Sequence, residues 1–139
     1  MCGWSDDSEG VWFEPRDRRA AKSHPCGECG RTIRPGETYR RYAGRQEGEF
    51  WSALVCLQCG AAGEWVSRRC GYLMVGVLLD NVDEHSRADH EPDARVRCEF
   101  RRLERGMRAK WATRLGEGRM RPPGPPPEWM KKLEDEIHA

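Results

Sequence analysis

Apolar residues in the stretch 94–115 recur at Val96, Phe100, Leu103, Met107 and Trp111, in steps of four, three, four and four. That spacing predicts one buried face of a helix, ended by Gly116 and Gly118. Gly106 interrupts the stretch and costs it about 1 kcal/mol relative to alanine. A second helical pattern begins after residue 60, where Trp65, Val66, Cys70, Leu73 and Val77 share a face. Residues 71–79 are apolar all round, which marks a segment buried on most sides. It is expected either as the central helix of a small bundle, packed on the 94–115 stripe, or as half of a homodimer interface. Upstream, Tyr39 and Tyr42 lie among β-prone neighbours in residues 38–43, and residues 50–55 are apolar and β-prone. The polar, Gly-bearing residues 44–49 would turn the first strand into the second.

The two ends are patterned less clearly. Residues 1–23 form an N-terminal arm in which Trp4, Val11, Trp12 and Phe13 lie among Ser, Asp and Gly. Trp12 and Phe13 are expected to fold back onto the body of the protein or to belong to a loosely ordered arm. Residues 16–22 have the charge of a short helix. Residues 122–127 are a Pro-rich spacer, stiff and extended. It carries a short amphipathic tail with Trp129, Leu133 and Ile137 in line. Four segments follow: the arm 1–23, a compact module 24–70, a helical extension 71–116, and the linker and tail 117–139.

Chemistry enters at Cys26-Gly27-Glu28-Cys29-Gly30 and Cys56-Leu57-Gln58-Cys59-Gly60, two Cys-x-x-Cys pairs with 26 residues between them. Four thiolates converging from two such turns suit one structural Zn²⁺. A Gly after each pair fits a knuckle in which positive φ is needed. Two disulfides or a redox Cys-x-x-Cys are the competing readings, and a duplicated pair argues against both. His24 is a fifth candidate ligand, displaced by the complete set of four cysteines. Cys70 and Cys98 read as small buried hydrophobes. The chain is 37% hydrophobic and 34% charged, so its core is small and a metal would supply much of its folding energy. The acidic start of the chain and the absence of a long apolar run lead to an expected soluble, cytoplasmic protein with no membrane partner.

The run Lys22-Ser23-His24-Pro25-Cys26, with Ile33, Gly36-Glu37 and Tyr39 behind it and Val55-Cys56 beyond a Trp-bearing strand, resembles a treble-clef zinc module. Such modules occur in uncharacterised phage and prophage proteins. It is similar, more distantly, to LIM-like and PARP-like fingers. The resemblance covers about residues 22–66 and implies a zinc-stabilised α+β fold of knuckle, β-hairpin and helix, packed here on two or three helices. It also implies a phage or mobile-element origin. Rubredoxin is a second likeness, implying iron and electron transfer. Against it stand Leu57-Gln58, where rubredoxins carry a Pro, and the helix that follows.

Charge adds the functional expectation. The net charge is +1, but residues 94–121 hold ten basic and three acidic residues, whereas 60–93 hold seven acidic and three basic. Arg95, Arg97, Arg101, Arg102, Arg105, Arg108, Lys110 and Arg114 form an Arg-rich helix suited to phosphates. Arg31, Arg34, Arg40 and Arg41 on the hairpin would supplement it. Pairing with the acidic segment, or a solvated face, is the alternative. Catalysis is not expected. Residues 31–55 contain no His or Asp of the kind a nuclease of this shape needs, and four Cys leave no open metal position. Glu84, His85, Asp89 and His90 are the one dense polar cluster, either a second metal site or a solvated helix end. The expected function is non-enzymatic binding to nucleic acid, or alternatively to a host or defence protein through the apolar run and the Pro-linked tail.

Overall fold

The computed structural model describes residues 11–70, 75–87, 89, 91–114 and 120–121. Its centre is an antiparallel hairpin, β5 (Thr38–Gln46) and β6 (Glu49–Cys56). The strands pair from Tyr39↔Cys56 to Gln46↔Glu49. The turn is only Glu47-Gly48, both at positive φ (52° and 80°). Such a two-residue turn matches the right-handed twist of the flanking strands. The expected six-residue turn is therefore too long, and residues 44–46 and 49 belong to the strands.

Two short strands extend the sheet. β1 (Val11–Trp12) and β2 (Arg16–Arg19) both pair antiparallel with β5, Trp12 opposite Gly44 and Arg16 opposite Arg41. Where a helix is expected over 16–22, residues 16–19 form a strand, because β5 offers a free edge to an extended chain. Trp12 does fold back, and its ring meets Trp51 edge-on at 4.7 Å. Before the hairpin, β3 (His24–Pro25) and β4 (Thr32–Ile33) bracket the first Cys pair as a two-stranded ribbon.

β6 runs directly into α1 (Leu57–Cys70), which packs on β5 and β6. α2 (Leu78–His85) and α3 (Ala94–Arg108) lie against each other. The three described helices meet at Phe100, which is fully buried. Trp65 of α1 packs edge-on against its ring at 4.9 Å, and His85 of α2 stacks on it at 4.9 Å. Leu78, Val82, Leu103 and Met107 complete this apolar centre. The expected helix over 71–79 is corrected where the structure describes it. Residues 75–77 form a turn and a new helix starts at Leu78. Residues 71–74, the first four of the suggested dimer segment 71–79, lie outside the described residues, as does the tail. Beyond α3, β7 (Thr113–Arg114) pairs with β8 (Met120–Arg121).

The predicted stripe of α3 is buried at Phe100, Leu103 and Met107, but the helix ends at Arg108 and not near 115. The Lys110 N–H bonds the carbonyl of Met107 (2.9 Å), and the Trp111 N–H bonds that of Gly106 (2.6 Å). This crossed pair of bonds is a Schellman cap, with Lys110 in the left-handed position (φ 51°) usually held by glycine. The cap throws the Trp111 ring back over Gly106. A Cβ at Gly106 would overlap that ring, so this glycine is kept for close approach.

Candidate metal centre

The sulfurs of Cys26, Cys29, Cys56 and Cys59 lie within 4.8 Å of one another, so the four side chains could hold one metal ion. Cys26, Cys56 and Cys59 are buried and Cys29 is partly exposed. All four are free thiols. Cys29 and Cys56 Sγ stand 3.9 Å apart, far beyond a disulfide bond of about 2.05 Å. An ion with metal–sulfur bonds of ~2.3 Å in a tetrahedron would hold its sulfurs about 3.8 Å apart, so the donor set fits a tetrahedral ion.

Local folding explains the convergence. In the first knuckle the Cys26 N–H bonds the Arg31 carbonyl (2.8 Å), and the Gly30 N–H bonds the Cys26 carbonyl (3.0 Å). Gly30 takes φ 77°, as the knuckle requires. Gly27 N–H donates to the Leu54 carbonyl (2.8 Å), which fastens this knuckle to β6. The second pair opens α1. The Cys59 N–H donates to Cys56 Sγ at 3.4 Å, the arrangement of a helix N-cap with sulfur as the acceptor. The positive end of the helix dipole favours a thiolate there. Gly60 does not take positive φ. It lies within α1, where the Arg40 side chain crosses close above it.

Further donors surround the sulfurs. Cys26 Sγ accepts from the N–H groups of Glu28 (3.4 Å) and Cys56 (3.3 Å). Trp111 reaches in from beyond α3 and donates its indole Nε1–H to Cys59 Sγ at 3.2 Å. This contact, 52 residues away in sequence, ties the helical part of the fold to the thiol cluster. Hydrogen bonds from Cys29, Cys56 and Cys59 hold the Cys26 thiol low, while the same contacts push Cys56 and Cys59 up. The first thiolate is easy to form and the last is costly. A cation among them would relieve that repulsion without protonating the thiols.

Arg31 follows the knuckle and is 5% exposed. Its guanidinium grips the Glu37 carboxylate with two nitrogens and donates to Gln58 Oε1 (2.9 Å) and the Thr32 carbonyl (3.1 Å). Burial works against its charge, but Glu37 and the Cys56 sulfur outweigh it and raise its pKa. The expectation that Arg31 serves an outer basic surface is thereby corrected. Arg40 is corrected likewise, since it bridges Asp17 (3.0 Å) and Glu64 (2.6 Å). Arg34 is exposed, and Arg41 is half-buried with its guanidinium 5.8 Å from the centre of the Phe50 ring.

On α3, Arg95, Arg101, Arg102, Arg105 and Arg108 are exposed, as is Lys110 past its end. Arg97 is spent on the carbonyls of Glu91 and Pro92 (both 2.8 Å). Arg102 pairs loosely with Glu99 (3.8 Å), and Arg108 pairs with Glu104 (3.0 Å) and reaches Asp83 (3.8 Å). Arg114 lies in β7, and its side chain is outside the described residues. Cys98 is exposed, contrary to expectation, because it lies on the outer side of α3. His85 stacks on Phe100, and no second group of three metal-ligating side chains converges among the described residues. His90 is outside them. His24 lies against Tyr39, ring centres 5.7 Å apart, and not in the thiol cluster. No described helix is long and apolar enough to cross a membrane.

Comparison with protein-family models, curated proteins and solved structures gives no match for this chain. The likeness to zinc modules therefore rests on the residues that carry it.

Proposed function

We propose that this is a non-enzymatic, Zn²⁺-stabilised protein that binds nucleic acid. Zinc is the ion that four thiolates in a tetrahedron suit best. Four cysteines close the shell, which makes the metal structural. The arrangement of knuckle, hairpin and a helix opened by the second Cys pair supports the treble-clef reading. Arg31 and the N-terminus of α1 offset the excess negative charge of four thiolates on a divalent ion. A phage or mobile-element origin is what the resemblance implies and enters no further step.

The observation that carries the binding reading is the outer side of α3. Arg101 and Arg105 stand one turn apart, exposed, with no acidic partner among the described residues. The opposite side of the helix is anchored in the core by Phe100, Leu103 and Met107. Rigidly presented, solvated guanidinium groups are what a phosphate backbone takes up. The test is binding to random duplex and single strands across a salt series, with Arg101→Glu/Arg105→Glu alongside. Affinity should fall steeply with salt and drop in the variant. Absence of binding at low salt would retire the reading. Metal analysis of the purified protein should give one zinc per chain, whereas a visible absorbance band would indicate iron and the electron-carrier alternative.

A protein partner is the second reading, favoured by one observation. A cavity of about 320 Å³ opens beside Cys59, walled by Trp12, Phe13, Tyr42 and Val55. Trp12 and Phe13 remain 44% and 43% exposed, so an apolar side chain of another protein could seat there. Trp12→Ala would abolish capture of such a partner while leaving nucleic-acid binding intact.

A further inference from the structure

We infer that the outer face of the β-sheet, the face turned away from α1, is a platform for single-stranded nucleic acid. Phe50 stacks on a base there, with Phe13 at the rim of the face, while Arg16, Arg18, Arg41 and Arg45 take the phosphates. The inference rests on the nucleic-acid reading above and adds a second surface and a strand class that α3 does not supply.

Strand alternation places the residues. Arg16 and Arg18 of β2 lie opposite Arg41 and Tyr39 of β5, and Arg45 lies opposite Phe50 of β6. Directly paired residues share a face, as do residues two apart on one strand. Phe13, Arg16, Arg18, Arg41 and Phe50 accordingly line one shallow hollow of about 360 Å³, with Glu14 as its single acid. On the other face Arg40 is tied to Glu64 of α1, so the two faces differ in kind. One is built into the fold; the other is closed at its Tyr39–Cys56 end and exposed around Phe50 and Arg45.

Three features of the open face point to a partner, although the Arg41 guanidinium also lies 5.8 Å from the centre of the Phe50 ring. Phe50 is 57% exposed and Phe13 43%. Arg16 sits directly across from Arg41, a like-charge pair that costs the sheet stability. None of the four guanidinium groups has an ion-pair or hydrogen-bond partner among the described residues, although acids pair with Arg31, Arg40 and Arg108 elsewhere. A polyanion relieves that repulsion. Exposed phenyl rings between guanidinium groups further specify a polyanion with flat rings. Unpaired bases offer such faces, and a duplex does not. Successive arginines on one face lie roughly 7 Å apart along a strand, the scale of a phosphate step in an extended single strand.

The experiment uses the full-length, metal-loaded protein and a fluorescent oligothymidylate, with a blunt duplex of equal length and phosphatidylcholine–phosphatidylserine vesicles as further arms. Phe50→Ala should weaken single-strand binding about tenfold, as loss of one stacked base does, and leave duplex binding unchanged. Arg41→Glu/Arg45→Glu should flatten the salt dependence of single-strand binding. Phe50→Leu keeps the apolar volume without the ring, so it should behave as Phe50→Ala even if the smaller residue disturbs the sheet. Metal content and circular dichroism check that each variant folds. Single-strand affinity unchanged in all three variants but lost in Arg101→Glu/Arg105→Glu would overturn the platform and leave the nucleic-acid reading standing. Wild-type protein that binds vesicles and no oligonucleotide would overturn both.

Discussion

Arginines surround the thiol cluster and arginines line α3, yet the two regions use the same side chain in opposite ways. Beside the cluster, Arg31 is buried and its charge is answered by Glu37, Gln58 and the sulfur of Cys56. Arg40 is 16% exposed and bridges two acids. On the outer side of α3, Arg101 and Arg105 stand in water. Charge counting treats these residues alike. Physically, the first pair is part of the fold and the second is available to a partner, because a buried charge persists only where opposite charge and hydrogen bonds meet it.

The comparison is broken most severely at the thiols. Cys56→Ser removes a metal ligand and leaves a hydroxyl that can still cap α1. Structural zinc contributes about 10–16 kcal/mol of apparent binding energy, so this variant should lose its metal and the cooperative melt of residues 24–70. Retention of a full equivalent of metal with an unchanged melt would refute the four-cysteine site. A strong chelator added to the native protein should have the same effect, whereas a reductant alone should have none.

Next comes Arg31→Ala. It removes the guanidinium that pairs with the Glu37 carboxylate and donates to Gln58 Oε1, a loss of at most about 3–5 kcal/mol for a broken buried pair, since Glu37 keeps the Arg34 N–H. Chemical denaturation measures it. Arg31→Met with Glu37→Leu should recover part of the loss, because removing both charges removes the desolvation cost. A single-variant loss below about 0.5 kcal/mol, the range for surface residues, would place Arg31 among the solvated arginines.

Trp111 links the two regions. Trp111→Phe keeps a ring over Gly106 but removes the N–H that bonds Cys59, worth about 1.5–3 kcal/mol for a bond to a charged acceptor. The missing donor also destabilises the thiolate, so protons compete better with the metal. Metal release on acidification should therefore begin at a higher pH in Trp111→Phe than in the native protein. Gly106→Ala approaches the same contact from the other side. It should cost about 1–3 kcal/mol by overpacking, although alanine is the better helix former.

The thiol site, the hairpin and the helix after it were legible because each rests on local spacing: two Cys-x-x-Cys turns, β-prone runs about a turn, and a helical period from Trp65. Contacts formed at long range were not. Nothing near Arg16 or Trp12 signals that β5 has an open edge, and a run of charge reads the same in a strand as in a helix. The Trp111 indole belongs by spacing to the α3 stripe, and only the Schellman cap turns it toward Cys59. Gly106, five residues before a Trp inside a helical pattern, was the available signal. Arg31 and Glu37, six residues apart across the Pro35-Gly36 turn, were another. Each needed the fold to give it meaning.

The smallest expected effect is the one that separates the regions most sharply. Arg101→Ala and Arg105→Ala remove exposed side chains with no described partner, so each should change stability by no more than about 0.5 kcal/mol. Their effect should appear instead in the salt slope of nucleic-acid binding, which falls by nearly one for each phosphate the protein no longer neutralises. Stability and binding thus form two readouts that should move oppositely in the two regions. Arg31 variants lose fold, and lose binding only as far as they unfold. α3 variants lose binding with the fold intact. A shift of more than 1 kcal/mol in both α3 variants, beyond the range of about 0.5 kcal/mol for surface residues, would mean that these arginines are structural, and the distinction between buried and solvated charge would not divide the molecule in this way.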